Sequence, residues 1–467
     1  MEDKNVIDEE IIALPEMVKR NAELYADKIA LQIRRGSGFE KITYAELFEK
    51  VRAIAAALMS IGVKDGEKAG VIGENRPEWA ISYLSIVFAG GVVVPIDPQL
   101  KYREIGHILM LSGTKVVFCS EKYISVLQQC KETTGLPETI IIMETTSKEG
   151  LFTLDDFIKK GKELIAKGLY LPDTNKIGLE DTLAIIFTSG TTGKSKGVIL
   201  SQRNIMFDVI ASSKVVNVQE NDNFISILPL HHTFEATAGF ILPLYKGVTI
   251  TYASSLKSRD IIADIKDSNA TIMLGVPLLF EKMLKGLQKG ISEQKFIVRS
   301  FINTNLAIVR SLRKLLGSEP GRVLFSSLRQ KAGLGSLRLL ISGGAALPLW
   351  VSNGFRELGF NLVQGYGLTE TSPVTNVNPI DKVKEASIGP PIPGIEMKIV
   401  NPDESGVGEV VVKGPIVMKG YFKDEEETNK VLKNGWLYTG DFGRVDEDGY
   451  FYITGRKKSV IVSQYYG

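Results

Sequence analysis

A loop rich in hydroxyl groups, glycine and lysine occupies residues 188–197, which read TSGTTGKSKG. Apolar runs flank the loop at 185–187 and 198–200, so we expect it to join two β-strands. Glycines let backbone N–H groups approach an anion, hydroxyls donate hydrogen bonds and lysines add positive charge. The pattern predicts a phosphate-binding loop. Its candidate ligands are Thr188, Ser189, Gly190, Thr191, Thr192, Gly193 and Lys196.

Two other interpretations of this loop are less consistent with the sequence. The nucleotide loop of P-loop ATPases has four residues between its first glycine and the Gly-Lys-Ser/Thr, and a helix follows it. Here only two residues separate Gly190 from Gly193, and no helix-forming stretch follows directly. A flexible surface loop is typical of many Gly/Ser/Thr runs, but the flanking apolar runs and the paired lysines argue against it.

A second segment with chemical potential is QGYGLTETSP at residues 364–373. Tyr366 offers an aromatic face, and the glycines beside it permit close approach of a flat ring. Thr369 and Glu370 place a hydroxyl next to a carboxylate. A carboxylate near phosphates is unfavourable unless a cation lies between them, so Glu370 is a candidate Mg²⁺ ligand.

Other segments are weaker signals when each is taken alone. PLHHTFE (229–235) contains two of the three histidines, and SGGAALP (342–348) lacks side-chain bulk. Because neighbouring side chains at i and i+1 are expected to point to different sides, the histidine pair does not indicate a metal cluster. Asp441 in WLYTGDFG and Arg456 in YITGRKKSV complete the set.

Together, TSGTTGKSKGV and QGYGLTETSP resemble the motifs of the adenylate-forming enzymes, which include acyl-CoA synthetases, luciferases and peptide-synthetase adenylation domains. The resemblance covers essentially the whole chain and implies ATP, Mg²⁺ and coenzyme A as ligands. It implies catalytic roles for Lys196, His232, Thr369 and Glu370, and metal contacts for Thr188 and Glu370. The implied acyl-site residues are His232, Phe234, Gly343 and Gly365. The implied nucleotide contacts beyond the loop are Gly343, Gly344, Ala345, Gln364, Gly365, Tyr366, Gly367, Thr369, Asp441 and Arg456, with a hinge at Lys458.

The elements that position these residues alternate along the chain. Between residues 40 and 120 helical and strand patterns alternate, which predicts parallel sheets covered by helices. Thr43 and Glu46 have the spacing of a capping box. From about Ser387, glycine and proline punctuate short strands, which predicts a small antiparallel unit. The fold class is therefore α/β.

The resemblance implies the large N-terminal region of adenylate-forming enzymes. This region has two mostly parallel sheets with helices between and outside them, plus a small distorted antiparallel β-barrel. We expect two α/β subdomains over 1–385, the barrel over 386–455 and the start of a hinge over 456–467. Family members continue with a small mobile domain, whereas the sequence given ends at Gly467. The C-terminal mobile domain is expected to be absent, and the full reaction is expected to be slow.

The composition, 44% hydrophobic and 24% charged, is that of an ordinary globular protein. The formal net charge of +2 gives no general attraction to nucleic acid or to membranes. Two cysteines without metal-type spacing, and an acidic N-terminus unlike a signal peptide, indicate a cytoplasmic protein. The longest uncharged stretch, residues 79–96, is interpreted as part of a helix followed by a buried strand, so no transmembrane segment is expected. The sequence indicates no oligomeric state.

Residues 282–338 contain twelve Lys or Arg and two acidic residues, interleaved with apolar residues. One interpretation is a solvated helical face whose apolar side packs on the core. The other is a basic amphipathic surface that rests on anionic lipid, making the protein peripheral at the inner membrane face. Long-chain members of the family resemble this chain in carrying a helical insertion here, which favours a fatty acyl substrate.

The expected activity is therefore the ATP-dependent conversion of a long-chain fatty acid to an acyl-adenylate and then to acyl-CoA, with release of pyrophosphate and AMP. Activation of an aryl acid, an amino acid or another carboxylic acid would use the same ATP motifs. A luciferase-like oxygenase would share the adenylation step. A non-catalytic protein that binds acyl groups or nucleotides is the alternative from a different functional class.

Overall fold

The computed structural model describes residues 11–144, 150–189, 195–316 and 320–456. The strands are β1 (Ile29–Arg35), β2 (Gly38–Thr43), β3 (Lys68–Ile72), β4 (Val92–Pro95), β5 (Val116–Cys119), β6 (Thr139–Ile142), β7 (Phe152–Thr153), β8 (Thr182–Ser189), β9 (Ser195–Ser201), β10 (Asn223–Ser226), β11 (Thr249–Tyr252), β12 (Ile272–Gly275), β13 (Leu339–Ser342), β14 (Leu362–Gly367), β15 (Val374–Val377), β16 (Glu396–Val400), β17 (Gly408–Lys413), β18 (Gly420–Tyr421), β19 (Leu432–Lys433), β20 (Trp436–Val445) and β21 (Phe451–Arg456).

The helices are α1 (Leu14–Leu24), α2 (Tyr44–Ser60), α3 (Pro77–Phe88), α4 (Tyr102–Ser112), α5 (Ile124–Thr134), α6 (Leu154–Ala166), α7 (Gln202–Val215), α8 (Leu242–Tyr245), α9 (Ser258–Ser268), α10 (Pro277–Ser292), α11 (Phe296–Leu316), α12 (Gly321–Leu324), α13 (Ser326–Lys331), α14 (Leu349–Glu357) and α15 (Glu425–Val431). A π-helix over Glu235–Ile241 leads directly into α8.

Local sequence signals explain where several helices begin. The predicted capping box before α2 is present: Thr43 Oγ1 accepts from the N–H of Glu46 at 3.2 Å, and the N–H of Thr43 donates to Glu46 Oε2 at 2.8 Å. Ser201 caps α7 in the same way with Asn204. These side chains satisfy backbone donors that a helix start leaves unpaired.

The first sheet has eight strands in the order β18-β9-β8-β4-β3-β5-β6-β7. The pairings from β8 through β7 are parallel, whereas β9 pairs antiparallel with both β8 and β18. Strands β3, β4 and β5 are almost entirely buried. Parallel strands covered on both faces have continuous apolar sequences, which is why their positions could be predicted.

The second sheet also has eight strands, in the order β15-β14-β13-β12-β10-β11-β1-β2. It is parallel from β14 to β1 and antiparallel at its two edges. The carboxyl ends of β13 and β14 lie side by side, since Ser342 is opposite Gln364. The glycine-rich segments that follow these two strands are therefore neighbours in space.

The third sheet is wholly antiparallel and has five strands, in the order β16-β17-β20-β19, with β21 also paired to β20. It corresponds to the predicted small antiparallel unit, and the predicted fold class is confirmed. The segment between β17 and β19 returns to the first sheet as β18. The expected domain boundaries at 385 and 455 remain predictions.

The structure also tests the interpretation of the uncharged stretch and shows where the two cysteines lie. The stretch at 79–96 forms the rest of α3 and then β4. Among the residues that the structure describes, no helix combines the length and the apolar character needed to cross a membrane. Cys119 and Cys130 are both buried free thiols.

The crossing of α2 and α6 generates a stability prediction. A Cβ atom added to Gly161 in α6 would lie 1.7 Å from the carbonyl oxygen of Ala53 in α2. Replacing a helical glycine with alanine normally stabilises a helix by about 1 kcal/mol. Gly161→Ala should instead destabilise the protein by roughly 1–3 kcal/mol or more, because the two helices must separate.

The matched control is Gly286→Ala in α10, where an added Cβ meets no atom within 4 Å. This variant should be neutral or more stable than the wild type. Denaturant midpoints of the three proteins provide the comparison. Equal midpoints for the two variants would contradict the close packing of α2 against α6.

Candidate functional site

Strands β8 and β9 form the hairpin that the sequence predicted around the phosphate loop. Thr188 pairs with Lys196 and Ser189 with Ser195 across the hairpin. Thr188 Oγ1 lies 3.5 Å from the carbonyl oxygen of Lys196. The predicted loop residues Gly190, Thr191, Thr192 and Gly193, together with Lys194, lie outside the described residues.

Lys196 extends from β9 toward the segment that contains β18 and α15. Its Nζ forms an ion pair with a carboxylate oxygen of Glu427 and lies 5.1 Å from the centre of the Tyr421 ring. The Tyr421 hydroxyl donates to Glu370 Oε1 at 2.8 Å. Tyr421 therefore stands between the cation of Lys196 and the carboxylate of Glu370.

The protonation states in this group follow from the contacts. Hydrogen bonds from Lys196 and then from Lys430 lower the pKa of Glu427 to about 2, so Glu427 is ionised at neutral pH. Burial raises the pKa of Tyr421, and the negative charge of Glu370 raises it further. Tyr421 therefore stays protonated and remains a hydrogen-bond donor to Glu370.

Glu370 lies in a short 3₁₀ turn over Thr369–Thr371 at the end of β14. Its carbonyl oxygen accepts from the N–H of Met418 at 2.9 Å, which fixes the turn against the segment leading to β18. The part of the chain that the structure describes contains no group of three or more His, Cys, Asp or Glu that could hold a metal alone. Mg²⁺ is commonly held by one or two carboxylates and substrate phosphates, so the single carboxylate of Glu370 fits such an ion.

Tyr366, Asp441 and Arg456 form a second polar group beside the first. The Tyr366 hydroxyl donates to Asp441 Oδ2 at 2.6 Å, and Arg456 Nε donates to Asp441 Oδ1 at 2.6 Å. Asp441 is buried, whereas the Arg456 side chain is largely exposed. Burial and the Asp441 carboxylate raise the pKa of Tyr366. This arrangement orients the tyrosine ring and presents a carboxylate that can accept hydrogen bonds from hydroxyl groups.

A cavity of about 200 Å³ opens beside these groups, and all four predicted acyl-site residues line it. Polar groups and glycine backbone form one part of the lining. Aliphatic and aromatic side chains form another part. The first part comprises His232, Gly343, Gly344, Gly365, Tyr366, Gly367 and Thr369; the second comprises Val216, Phe224, Phe234, Ala238, Leu242, Ile341, Val374 and Val377.

Close packing explains one of the glycines in this wall. A Cβ atom on Gly343 would lie 2.9 Å from the Phe234 ring. The predicted acyl-site pair Phe234 and Gly343 is thus in direct contact, and a side chain at position 343 would displace the aromatic wall. Gly344 adopts a left-handed backbone conformation, with φ of +79°.

The two histidines differ from the expectation that they point to different sides. Their ring centres lie only 4.2 Å apart, because the chain turns here and the N–H of His232 donates to the carbonyl oxygen of Pro229. Only His232 lines the cavity. His231 is buried, with Nε2 3.5 Å from Asp97 Oδ1. Burial lowers the pKa of His231 to about 4 and also lowers that of His232, so both rings are neutral at pH 7.

In the two glycine-rich segments after β13 and within β14, two predicted nucleotide contacts do not line the cavity. Ala345 does not line it, and the Gln364 side chain instead accepts a hydrogen bond from the N–H of Leu347 at 3.3 Å. The predicted hinge residue Lys458 lies outside the described residues. The roles assigned to all these residues remain predictions.

The structure adds residues that motif spacing did not reveal. Tyr421 and Glu427 contact Glu370 and Lys196 across sequence separations of 51 and 231 residues. Asp208 in α7 is another addition. It is buried, accepts from the N–H of Val374 at 2.7 Å and accepts from the Ser212 hydroxyl at 2.9 Å. No local pattern in the sequence marks these long-range partners.

Glu235 begins the π-helix whose neighbouring residues Phe234, Ala238 and Leu242 line the cavity. Its side chain is buried, and neither carboxylate oxygen meets hydrogen-bond geometry with any donor in the described part of the chain. Burial raises the pKa of Glu235 to about 8, an effect only partly offset by the nearby Ser226 hydroxyl. The acid is therefore mostly protonated at neutral pH.

The chain is similar to known proteins in sequence and in fold. A family model described as "AMP-binding enzyme" matches residues 18–422. The chain is 29% identical to fatty acyl-CoA synthetase B of Dictyostelium discoideum, over 97% of this chain and 71% of that protein. It is 30% identical to long chain acyl-CoA synthetase 4 of Arabidopsis thaliana, over 90% of this chain and 66% of that protein. The chain thus spans about two thirds of the length of these curated relatives.

Solved structures show the same fold. An anthranilate CoA ligase in complex with anthranoyl-AMP superposes with a TM-score of 0.79 at 22% identity, covering 96% of this chain and 78% of that one. The N-terminal domain of FACL13 from Mycobacterium tuberculosis gives a TM-score of 0.72 at 21% identity, over 95% of this chain and 100% of that one. ATP-bound MatB from Rhodopseudomonas palustris gives 0.74 at 26% identity, over 96% and 79%.

The buried acid Glu235 generates a pH prediction. Its pKa is higher in the folded protein, about 8, than the ordinary value of 4.5, so the folded state binds the extra proton between these pH values. The free energy of unfolding should therefore decrease as pH rises through this window, by at most about 1.4 kcal/mol per pH unit from this group. Glu235→Gln should remove that contribution.

Unfolding free energies of the wild type and Glu235→Gln, measured at pH 5.5 to 8, provide the test, with the exposed Glu163→Gln on α6 as the control. The wild type should lose stability relative to Glu235→Gln as pH rises, while Glu163→Gln should follow the wild type. A pH-independent difference between wild type and Glu235→Gln would show that Glu235 has an ordinary pKa.

Proposed function

This chain belongs to the AMP-binding enzyme family, and we propose that it activates a fatty acid with ATP. The proposed products are an acyl-adenylate and pyrophosphate, followed by acyl-CoA and AMP. The observation that carries the proposal is a cavity lined both by polar groups such as Tyr366 and Thr369 and by many apolar side chains. A fatty acid has the same two kinds of group, a carboxylate and a hydrocarbon chain.

The apolar part of the cavity lining supports an aliphatic substrate. It includes Phe224, Leu242, Ile341 and Val377, and burying each methylene against such side chains contributes about 0.8 kcal/mol. The names of the relatives, fatty acyl-CoA synthetase and long chain acyl-CoA synthetase, support the same substrate class. The volume of about 200 Å³ is below the range of roughly 300–1,000 Å³ usual for ligand sites, so the preferred chain length must be measured.

In the proposed first step, a carboxylate oxygen of the acid attacks the α-phosphorus of ATP. A new oxygen–phosphorus bond forms, and the bond from the α-phosphorus to the bridging oxygen breaks, releasing pyrophosphate. Two anions must meet for this reaction, so positioning and charge neutralisation provide most of the rate increase. Neutral His232 and the backbone of Gly343 line the cavity, and they would orient the carboxylate.

The charged groups beside the cavity would bind ATP in this step. Lys196 would exchange its ion pair with Glu427 for the phosphates of ATP. Tyr366, held by Asp441, would pack on adenine while Asp441 and Arg456 contact the ribose. Mg²⁺ bound through Glu370, with Thr188 as a second contact, would supply positive charge to the phosphates.

In the proposed second step, the thiolate of coenzyme A attacks the acyl carbon of the adenylate. A thioester bond forms and the bond from the acyl carbon to the phosphate oxygen breaks, so AMP leaves. The described site residues are proposed to act in the adenylation step. ATP–pyrophosphate exchange measures that half-reaction.

ATP–pyrophosphate exchange tests the proposed function across acids from acetate to oleate, with benzoate and anthranilate included. Exchange should increase with chain length until the cavity is filled, because each added methylene is buried there. Ala238→Phe, which narrows the cavity, should move the optimum to shorter acids. Ala166→Leu, at the exposed end of α6, should leave the optimum unchanged.

Two results would count against this substrate assignment. A flat profile from acetate to palmitate would exclude an acyl cavity, and exchange that peaks with benzoate or anthranilate would indicate an aryl acid ligase. ATP binding without exchange for any acid would indicate a non-catalytic nucleotide-binding protein.

Glu370→Gln tests the metal assignment. The substitution keeps the size of the side chain and removes its charge, so exchange should fall by about a hundred- to a thousandfold if one electrostatic group is lost. Glu426→Gln, an exposed position on α15, is the matched control and should retain exchange. Exchange rates measured over a Mg²⁺ titration separate the two variants; wild-type Mg²⁺ dependence in Glu370→Gln would refute the role of Glu370.

A further inference from the structure

Lys196 and Glu427 form an ion pair that joins β9 to α15 across 231 residues of sequence. The side chain of Lys196 is 16% exposed and that of Glu427 is 27% exposed, so water shields the pair only in part. The proposed function assigns this same lysine to the phosphates of ATP. In the structure its charge is already neutralised by a carboxylate, so an incoming phosphate must share or displace that carboxylate.

Backbone hydrogen bonds hold both partners in place independently of the ion pair. Lys196 lies within the β8–β9 hairpin. At the start of α15, Asp424 Oδ1 accepts from the N–H of Glu427 at 3.1 Å. The N–H of Tyr421 in β18 donates to Thr428 Oγ1 in α15 at 2.8 Å. The ion pair can therefore open by movement of side chains alone, without any shift of the hairpin or the helix.

Glu427 has a second cation that remains when Lys196 leaves. Lys430 Nζ donates to Glu427 Oε1 at 2.6 Å, whereas Lys196 contacts Oε2. Lys430 is three residues further along the same helix, and its side chain is largely exposed. Because Lys430 stays beside the carboxylate, departure of Lys196 does not leave a negative charge unpaired. Opening of the long-range pair is therefore less costly than the loss of an only partner.

The chemistry of the two anions allows one to replace the other. A carboxylate and a phosphate both present charged oxygens that accept hydrogen bonds. The ammonium of a lysine acts as a point charge with freely directed donors, so it does not require the planar geometry of a carboxylate. Glu427 keeps its negative charge throughout the neutral pH range, because its pKa is about 2. The carboxylate of Glu427 thus occupies a place on Lys196 that a phosphate oxygen could take.

We propose that Glu427 is an intramolecular competitor of the phosphates for Lys196. It holds the lysine in the free protein, gives it up when ATP binds and takes it back when pyrophosphate leaves. The proposal rests on the proposed function, which brings phosphates to Lys196. Competition lowers the apparent affinity for a phosphate ligand in proportion to the fraction of molecules whose lysine is free. Glu427 therefore weakens ATP binding and favours release of pyrophosphate.

Isothermal titration calorimetry of the full chain with Mg–ATP and with Mg–pyrophosphate tests this competition. Glu427→Gln keeps the size of the side chain and removes its charge. This variant should bind both ligands about two- to fivefold more tightly than the wild type, the range expected from loss of a partly exposed ion pair. Adenosine carries no phosphate and should bind the two proteins equally. A general structural change would alter the affinity for adenosine as well.

A matched control and a double variant identify the route of the effect. Glu426→Gln removes a charge from the preceding residue, which pairs with Lys430, and should bind the ligands like the wild type. Lys196→Met should weaken Mg–ATP binding by roughly ten- to a hundredfold. Addition of Glu427→Gln to Lys196→Met should then have no further effect, because Glu427 acts through the lysine. Circular dichroism of each variant verifies its fold.

Three results would overturn the proposal. Equal or weaker pyrophosphate binding by Glu427→Gln would show that Glu427 only positions Lys196. The same gain in affinity with and without Lys196 would assign the effect to general repulsion between Glu427 and the phosphates. An equal gain from Glu426→Gln would assign it to the overall charge of α15.

ATP–pyrophosphate exchange with octanoate on the same preparations separates this proposal from the proposed function. Tighter pyrophosphate binding by Glu427→Gln, without exchange by the wild type, would support the competition and reject the activity. Exchange by the wild type, with unchanged pyrophosphate affinity in Glu427→Gln, would support the activity and reject the competition.

Discussion

The backbone pairing of β18 with β9 places the charged groups of the site. The N–H of Lys419 donates to the carbonyl oxygen of Ile199, and the N–H of Phe422 donates to that of Gly197 at 2.7 Å. These bonds attach the segment between β17 and β19 to the β8–β9 hairpin, so that Tyr421 reaches Glu370. The Tyr421 side chain thus separates the cation of Lys196 from the carboxylate of Glu370. Such preorganised charge is the usual source of electrostatic catalysis.

Features that depend on local sequence could be predicted, whereas contacts between distant segments could not. Apolar runs such as those of β3 and β4, and caps such as Thr43, are local signals, and they were confirmed. Tyr366 and His232, which belong to two of the motifs, line one cavity, and their roles remain predictions. The partners of Lys196, by contrast, lie in a distant segment of the chain. Periodicity carries no information about such contacts.

The protonation states divide the site into a charged half and a neutral half. Burial raises the pKa of Asp208 and of Glu235 and lowers that of His231, so each favours its neutral form. These three residues lie beside the cavity or behind its wall. The ionised Glu427 pairs instead with Lys196, and neither residue lines the cavity. In the proposed function an apolar chain would enter a region without full charges, which avoids a large desolvation cost.

Asp208 links the wall of the cavity to the turn that carries Glu370, and this link bears on how the proposed activity would select among acids. It joins α7 to the N–H of Val374, and both Val374 and its neighbour Pro373 line the cavity only a few residues after Glu370. The wall of the cavity and the turn that carries Glu370 are thus parts of one short, hydrogen-bonded segment. An acid too wide for the cavity would push on this segment and move the Glu370 carboxylate. The enzyme would then discriminate between acids in turnover as well as in binding, because a poorly fitting acid would displace a group proposed to act in its own activation.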